Sequence, residues 1–280
     1  MQHLTQPHRL TSLLCAATVV ALGTAWLPRP AHAQDAAADT PDVAVLQKAL
    51  APLIAAPTLG TESDLEITAA KAGISLNVRE HLKITAKKPG KFRAEVSLLP
   101  SAEGGGAAPA GENYLVVSNG VKVLTVQPSA HQYSLVSVAA FEAANDDMPT
   151  LGLFVGPLYL GDQSFAEMIA AFSKATTPAL LEALKKQGLG LTSSAQTVDN
   201  VDYTVFTLSV AHFGAYRFFV DAKTGTLSRM ALSGVQGGLT ITMTEKITNR
   251  VASPVVTPAT FQLTPPSGAH KVKYIPIGSF

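Results

Sequence analysis

The sequence predicts an α+β fold: a half-buried antiparallel sheet interrupted by a helical excursion. Three observations carry that expectation. From Ile74 to Thr85 the chain alternates, with Ile74, Leu76, Val78, Leu82 and Ile84 on one face and Ser75, Asn77, Arg79, His81, Lys83 and Thr85 on the other, the period of a strand with one oily side. After Lys88-Pro89-Gly90-Lys91 the pattern resumes as Phe92, Ala94, Val96 and Leu98 against Arg93, Glu95 and Ser97, so two strands joined by a turn present one continuous apolar surface. Between Phe141 and Gly190 the period becomes helical before strands return.

Residues 1–33 read as an export signal. Arg9 supplies positive charge, Leu10 to Leu27 an apolar stretch, and Ala31-His32-Ala33 a cleavage site. Thr, Ser and Gly within that stretch, and Pro28 and Pro30 after it, suit a cleaved signal better than a span, so no stable membrane insertion is expected. The mature chain then starts at Gln34 in a bacterial periplasm. Cys15, the only cysteine, lies inside the signal and follows Leu14 rather than the small residue that lipid attachment prefers. That leaves the mature chain without disulfides or thiolate chemistry. Losing Arg9 and Arg29 leaves one more acid than base, and a near-neutral chain lacks the basic face that nucleic acid demands. One monomeric domain is expected over residues 42–280, with a helical insertion around 141–190.

Residues 34–41, rich in Ala and Asp, form a flexible leader. Asp42 caps a helix that runs through Val45, Leu46, Ala49, Leu50 and Leu53 and stops near Pro57, with Pro52 kinking or shortening it. Strands come next, over 63–70, 74–86 and 91–99. Residues 101–111, a Gly/Ala/Pro run, cannot build a core and read as an exposed hairpin loop; Gly104-Gly105-Gly106 lacks the Gly-Lys-Ser/Thr of a phosphate cradle. Asn119-Gly120 is a strong hairpin signal between Asn113 to Ser118 and Val121 to Gln127. Pro128 ends that hairpin, and His131 to Val138 begins another strand.

In the excursion, Phe165, Met168, Ile169 and Phe172 recur at helical spacing after the cap Asp162, and Leu180, Leu181 and Leu184 do so after Thr177-Pro178, with Gly188 as the stop. Strands are expected again over 194–197, 203–211, 215–220, 225–233 and 239–248, with a tight turn from Asp221 to Gly225. Phe261 to Pro266 reads as a short edge strand ended by prolines.

Few residues suggest chemistry. Glu80 is the odd one on the apolar face, and buried alone it costs several kcal/mol or stays protonated. Two readings stay open for it: a register break or wet mouth of the sheet, or a partner from a covering element. His81, His131, His212 and His270 lack metal-ligand spacing, and His81 falls on the solvated face, so neither a metal nor another cofactor is expected. There is no G-x-S-x-G elbow, P-loop or cysteine nucleophile; a Ser, His and Asp set can still assemble in space. The expected class is non-enzymatic.

With its turns in order, the chain resembles the periplasmic outer-membrane lipoprotein carrier superfamily. The resemblance rests on Lys88-Pro89-Gly90-Lys91-Phe92-Arg93, on Val117-Ser118-Asn119-Gly120 with Pro128 and Gln132 after it, on Val220 to Thr226, and on Phe261 to Gly268. It implies a strongly curved antiparallel sheet, an incomplete β-barrel, with helices covering its concave face and an apolar cavity between them. The implied cavity wall is Leu76, Val78, Leu82, Ile84, Phe92, Val96 and Leu98 from the sheet and Phe165, Met168, Ile169 and Phe172 from the helices. Lys88 stands where the carrier has an arginine that helps hold the lid helices, and lysine lacks the planar fork. Lys88 and Glu80 are therefore the lid-pairing candidates. Leu124 stands where the family usually places an aromatic, and Val126 comes after it. The implied function is a carrier of an acyl chain, lipid or lipidated protein. The alternative is a protein-interaction or envelope-stress-sensing module that binds an envelope protein and moves no lipid.

Overall fold

The computed structural model describes residues 41–71, 74–100, 111–144, 151–159, 175–210, 214–236 and 238–277. The export segment, residues 101–110 and the expected helix containing Phe165, Met168, Ile169 and Phe172 lie outside the described residues, as does the side chain of Leu76.

Twelve strands form one open sheet. In chain order they are β1 (Thr58–Lys71), β2 (Ile74–Lys87), β3 (Lys91–Leu99), β4 (Asn113–Asn119), β5 (Lys122–Gln127), β6 (Gln132–Ser137), β7 (Leu189–Val198), β8 (Val201–Val210), β9 (Gly214–Asp221), β10 (Leu227–Gln236), β11 (Leu239–Ala252) and β12 (His270–Lys271). Across the sheet the order is β12-β6-β5-β4-β3-β2-β1-β11-β10-β9-β8-β7. Two meanders, β1 to β6 and β7 to β11, are thus joined side by side by the β1 to β11 pairing. The described pairings are antiparallel, β12 against β6 excepted.

The turns show why the chain reverses where it does. At Asn119-Gly120 the Asn119 Oδ1 accepts from the Val121 and Lys122 amides, both at 2.9 Å, while Gly120 takes φ +90°. Asp221 Oδ1 accepts from Lys223 and Thr224, both at 2.8 Å. Between β7 and β8, Asp199 and Asn200 both adopt positive φ, the arrangement of a two-residue hairpin turn that matches strand twist.

Four helices are described: α1 (Val43–Ala55), α2 (Val138–Ala144), α3 (Val155–Tyr159) and α4 (Thr177–Lys186). Asp42 caps α1 by accepting from the Ala44 amide at 3.1 Å. Val43, Leu46, Ala49, Leu50 and Leu53 are its buried stripe. Pro52 lies inside the last turn and does not end the helix. Four large buried side chains at about 2 kcal/mol each outweigh the roughly 3 kcal/mol that an internal proline costs.

One apolar cluster unites the sheet and the helices. It holds the α1 stripe, Leu151 to Tyr159 in part, and Leu180 and Leu184 of α4, together with inward residues of the strands such as Leu65, Val78, Leu82, Phe92, Met230 and Phe218. On the opposite face the segment Pro258–Phe261 packs as a single 3-10 turn against β3 and β4 and buries Phe261. Val117 and Leu124, paired in register and also buried, alternate away from the main cluster.

Several expectations need correction. Phe261 to Pro266 is not a strand: Pro258 opens a 3-10 turn, Pro265 and Pro266 lack an amide hydrogen to donate to a ladder, and the short strand is His270–Lys271 instead. His131 closes a 3-10 turn at φ +51° before β6 begins, and Val138 starts α2. Strand β7 begins at Leu189, earlier than expected, because Leu189 and Leu191 alternate into the core.

Candidate functional site

Register alone places a row of side chains across the middle of the apolar face. Leu98, Glu80, Leu65, Glu245, Met230 and Phe218 lie opposite one another on β3, β2, β1, β11, β10 and β9. Four of the six are apolar and two are acids. Glu80 is 0% exposed and Glu245 1%, so both carboxyls are removed from water.

The two acids are treated differently by the fold. Glu245 Oε1 accepts from the Ser63 hydroxyl at 2.8 Å, and its Oε2 accepts from the Leu153 amide at 2.7 Å. Arg250 adds electrostatic attraction. It can do so because the β1 to β11 register slips between Glu62 and Ser63, skipping Thr248, and the bulge brings Arg250, paired with Thr61, onto the same face as Ser63 and Glu245. Burial raises the Glu245 pKa, and these partners oppose the shift. Gly152, at φ +68°, lets the chain lie directly on the carboxylate: a Cβ there would sit 2.5 Å from Glu245 Oε1.

Glu80 has none of this. Neither of its oxygens has a hydrogen-bond partner among the described residues, and burial pushes its pKa up to about 7. Its register with Leu65 and Leu98 is unbroken. A register break or wet mouth therefore does not account for it.

At the far end of β2 a second polar junction gathers the helices. Lys88 Nζ donates to the Ile54 carbonyl at 2.7 Å and lies 4.9 Å above the centre of the Tyr159 ring. Tyr159 donates its hydroxyl hydrogen to the Ala56 carbonyl at 3.0 Å, and the Gly90 amide donates to the Tyr159 carbonyl at 2.8 Å. A cation at the end of α1 is also favoured by the helix dipole, while burial lowers the Lys88 pKa. Leu151 to Tyr159 is thus a strap held at both ends, by Glu245 on β11 and by the β2 to β3 turn. Its helical part, α3, packs against β2.

Of the sheet residues expected to face inward, Val78, Leu82, Ile84, Phe92, Val96 and Leu98 are all buried in the one cluster with α1 and the strap. His81 lies on the other face but is not simply solvated: Nδ1 is 2.8 Å from Asp64 and Nε2 3.2 Å from Glu62. The hydrogen bond to Asp64 is the largest cause of its raised pKa. No group of three metal-ligating side chains occurs among the described residues, and no described helix is long and apolar enough to cross a membrane.

The sequence reading missed Glu245 and Arg250. Glu245 was findable, because it comes after Ile241 and Met243 in the same alternation that exposes Glu80 as odd. Arg250 was not, since its side depends on a bulge with no local signature.

No family model and no curated protein matches the chain. Solved structures do. An uncharacterized conserved protein from Thermus thermophilus is 10% identical at TM-score 0.38, covering 81% of this chain and 96% of its own. The lipoprotein LppX of Mycobacterium tuberculosis is 10% identical at TM-score 0.36, with 73% and 92% covered. A LolA superfamily protein from Nitrosomonas europaea is 12% identical at TM-score 0.29, with 78% and 96% covered. At such identities and scores these likenesses decide nothing about function, which is read instead from side-chain geometry.

Proposed function

We propose that this chain is a periplasmic, non-enzymatic binder of a hydrophobic ligand, an acyl chain, lipid or lipidated protein, held between the apolar sheet face and the elements that cover it. One observation carries the reading: the strap from Leu151 to Tyr159 lies over the apolar face of an open sheet with its polar tethers at its ends, at Glu245, Gly90, Lys88 and Ala56. Such a cover can be exchanged for an apolar ligand without rebuilding the sheet. The helices act as a lid over a curved, concave surface, and Val78, Leu82, Ile84, Phe92, Val96 and Leu98 form its wall.

Acyl-chain burial, at about 25 cal/mol per Å², replaces the apolar contacts that the strap gives up. Lys88 and Glu245 then set how readily the strap lifts, and no cofactor enters the cycle. Titration of the mature chain with a dansyl fatty acid tests the reading. Saturable fluorescence that oleate displaces is expected, and a linear, unsaturable response overturns it.

A second reading, a module that binds an envelope protein, is favoured by β7. Leu189–Val198 ends the sheet order, so among the described residues one row of its backbone groups has no strand beside it and can pair with a partner's strand. Mild crosslinking in cells separates the two: a carrier copurifies with lipid or lipoprotein, a module with one defined protein.

A further inference from the structure

We infer that Glu80 is the polar anchor of the ligand face, accepting and donating hydrogen bonds to the head group of a neutral amphiphile that carries an O–H or N–H on an otherwise apolar chain. This rests on the reading of the apolar face as a ligand site and adds the class of ligand.

The contrast with Glu245 carries the inference. Both acids occupy the same cross-strand row, one strand apart on either side of Leu65, and both are fully buried. Around Glu245 the fold supplies a hydroxyl, an amide and a guanidinium, and even a glycine that clears space for the carboxylate. Around Glu80 it supplies Leu65 and Leu98 on the neighbouring strands and Val78 and Leu82 two residues away on its own face. An unpartnered buried carboxyl costs the full desolvation of its polar atoms. A leucine at the same place would cost nothing of the kind, and every other described inward side chain of β2, Val78, Leu82, Ile84 and Ala86, is apolar.

The chemistry of the unpartnered group defines what fits it. Burial keeps the carboxyl largely neutral below about pH 7, so it offers one O–H donor and one carbonyl acceptor. An alcohol, a carboxamide or a protonated carboxylic acid matches both. An ester or an ether matches the O–H but leaves the carbonyl acceptor unmatched, an alkane leaves both atoms unmatched, and an ionised carboxylate adds charge to a buried site.

Competition against bound diphenylhexatriene tests this, with hexadecanol and hexadecyl methyl ether as competitors, below the pH at which Glu80 ionises. The two share one chain and differ in the donor. The native chain is expected to prefer the alcohol by about tenfold, the worth of one hydrogen bond in a buried site. Glu80→Leu should abolish that preference while still binding the ether, and Glu80→Gln, which keeps a donor and an acceptor, should retain it. A preference that survives in Glu80→Leu, or that is absent from the native chain, overturns the inference while leaving the apolar site standing. If neither diphenylhexatriene nor either competitor binds the native chain, the ligand-binding reading falls and this inference falls with it.

Discussion

Replacing Glu80 by glutamine should change the pH dependence of stability. The side chains are nearly isosteric, but only one can ionise. In the folded state burial raises the Glu80 pKa from 4.5 to about 7, so the folded chain keeps a proton that the unfolded chain gives up over that window. The unfolded state then binds fewer protons, and stability falls as pH rises between those two values. At about 1.4 kcal/mol per pH unit, the loss amounts to roughly 3 kcal/mol above the upper value, and it is absent below the lower one, where both states are neutral. Glu80→Gln has no such loss. Urea unfolding of both proteins across the window should therefore give a difference near zero at the acid end, rising to about 3 kcal/mol in favour of the variant at the alkaline end. Contributions from Glu245, His81 and the surface carboxylates are common to both proteins and cancel. A difference independent of pH, or a variant less stable at the alkaline end, would show that Glu80 is charged and partnered in the folded protein.

Three further outcomes are expected from the same contacts. Lys88→Met removes the bond to the Ile54 carbonyl and the contact with the Tyr159 ring and should destabilise the chain by about 2 kcal/mol; Lys88→Arg should recover most of this in the same urea titration. Gly152→Ala forces a Cβ onto Glu245 at positive φ and should cost about 3 kcal/mol, read as a lower melting temperature, with Ala at the positive-φ Gly225, where a Cβ meets open space, as the milder control. The His81 imidazole should titrate by NMR above its ordinary 6.5, held up by Asp64 and Glu62. Its stabilising pairing is complete below 6.5 and is lost as pH rises through the raised value; Asp64→Asn should move the midpoint down.

The sheet was legible where a strand buries one face and solvates the other. Phe92 to Leu98 alternates without a break, Val78 to Ala86 does so but for Glu80, and their turns carry the residues that positive φ and side-chain capping require. Strand β7 was half missed because its inward Leu189 and Leu191 follow directly on the helix stop Gly188, ahead of the stretch 194–197 that was read as strand. The C-terminal segment misled because Phe261 is buried as a strand residue would be, but by a 3-10 turn on the outer face. Glu80 announced itself by breaking an apolar row. What the sequence could not disclose is that the other acid of the row, Glu245, would be satisfied by residues far away in the chain, Ser63 and Leu153, while Glu80 has no hydrogen-bond partner among the described residues. Lys88 likewise reads as a turn residue until the fold brings Ile54 and Tyr159 to it.

The most direct measurement of the central claim is native mass spectrometry of the chain purified from its own host under mild conditions, with organic extraction and lipid analysis of the same sample. A bound amphiphile that shifts the native mass, leaves on extraction and is recovered with an O–H or N–H head group is the predicted result. A native mass equal to that of the bare polypeptide, from a protein that also fails to bind a dansyl fatty acid saturably, would contradict it.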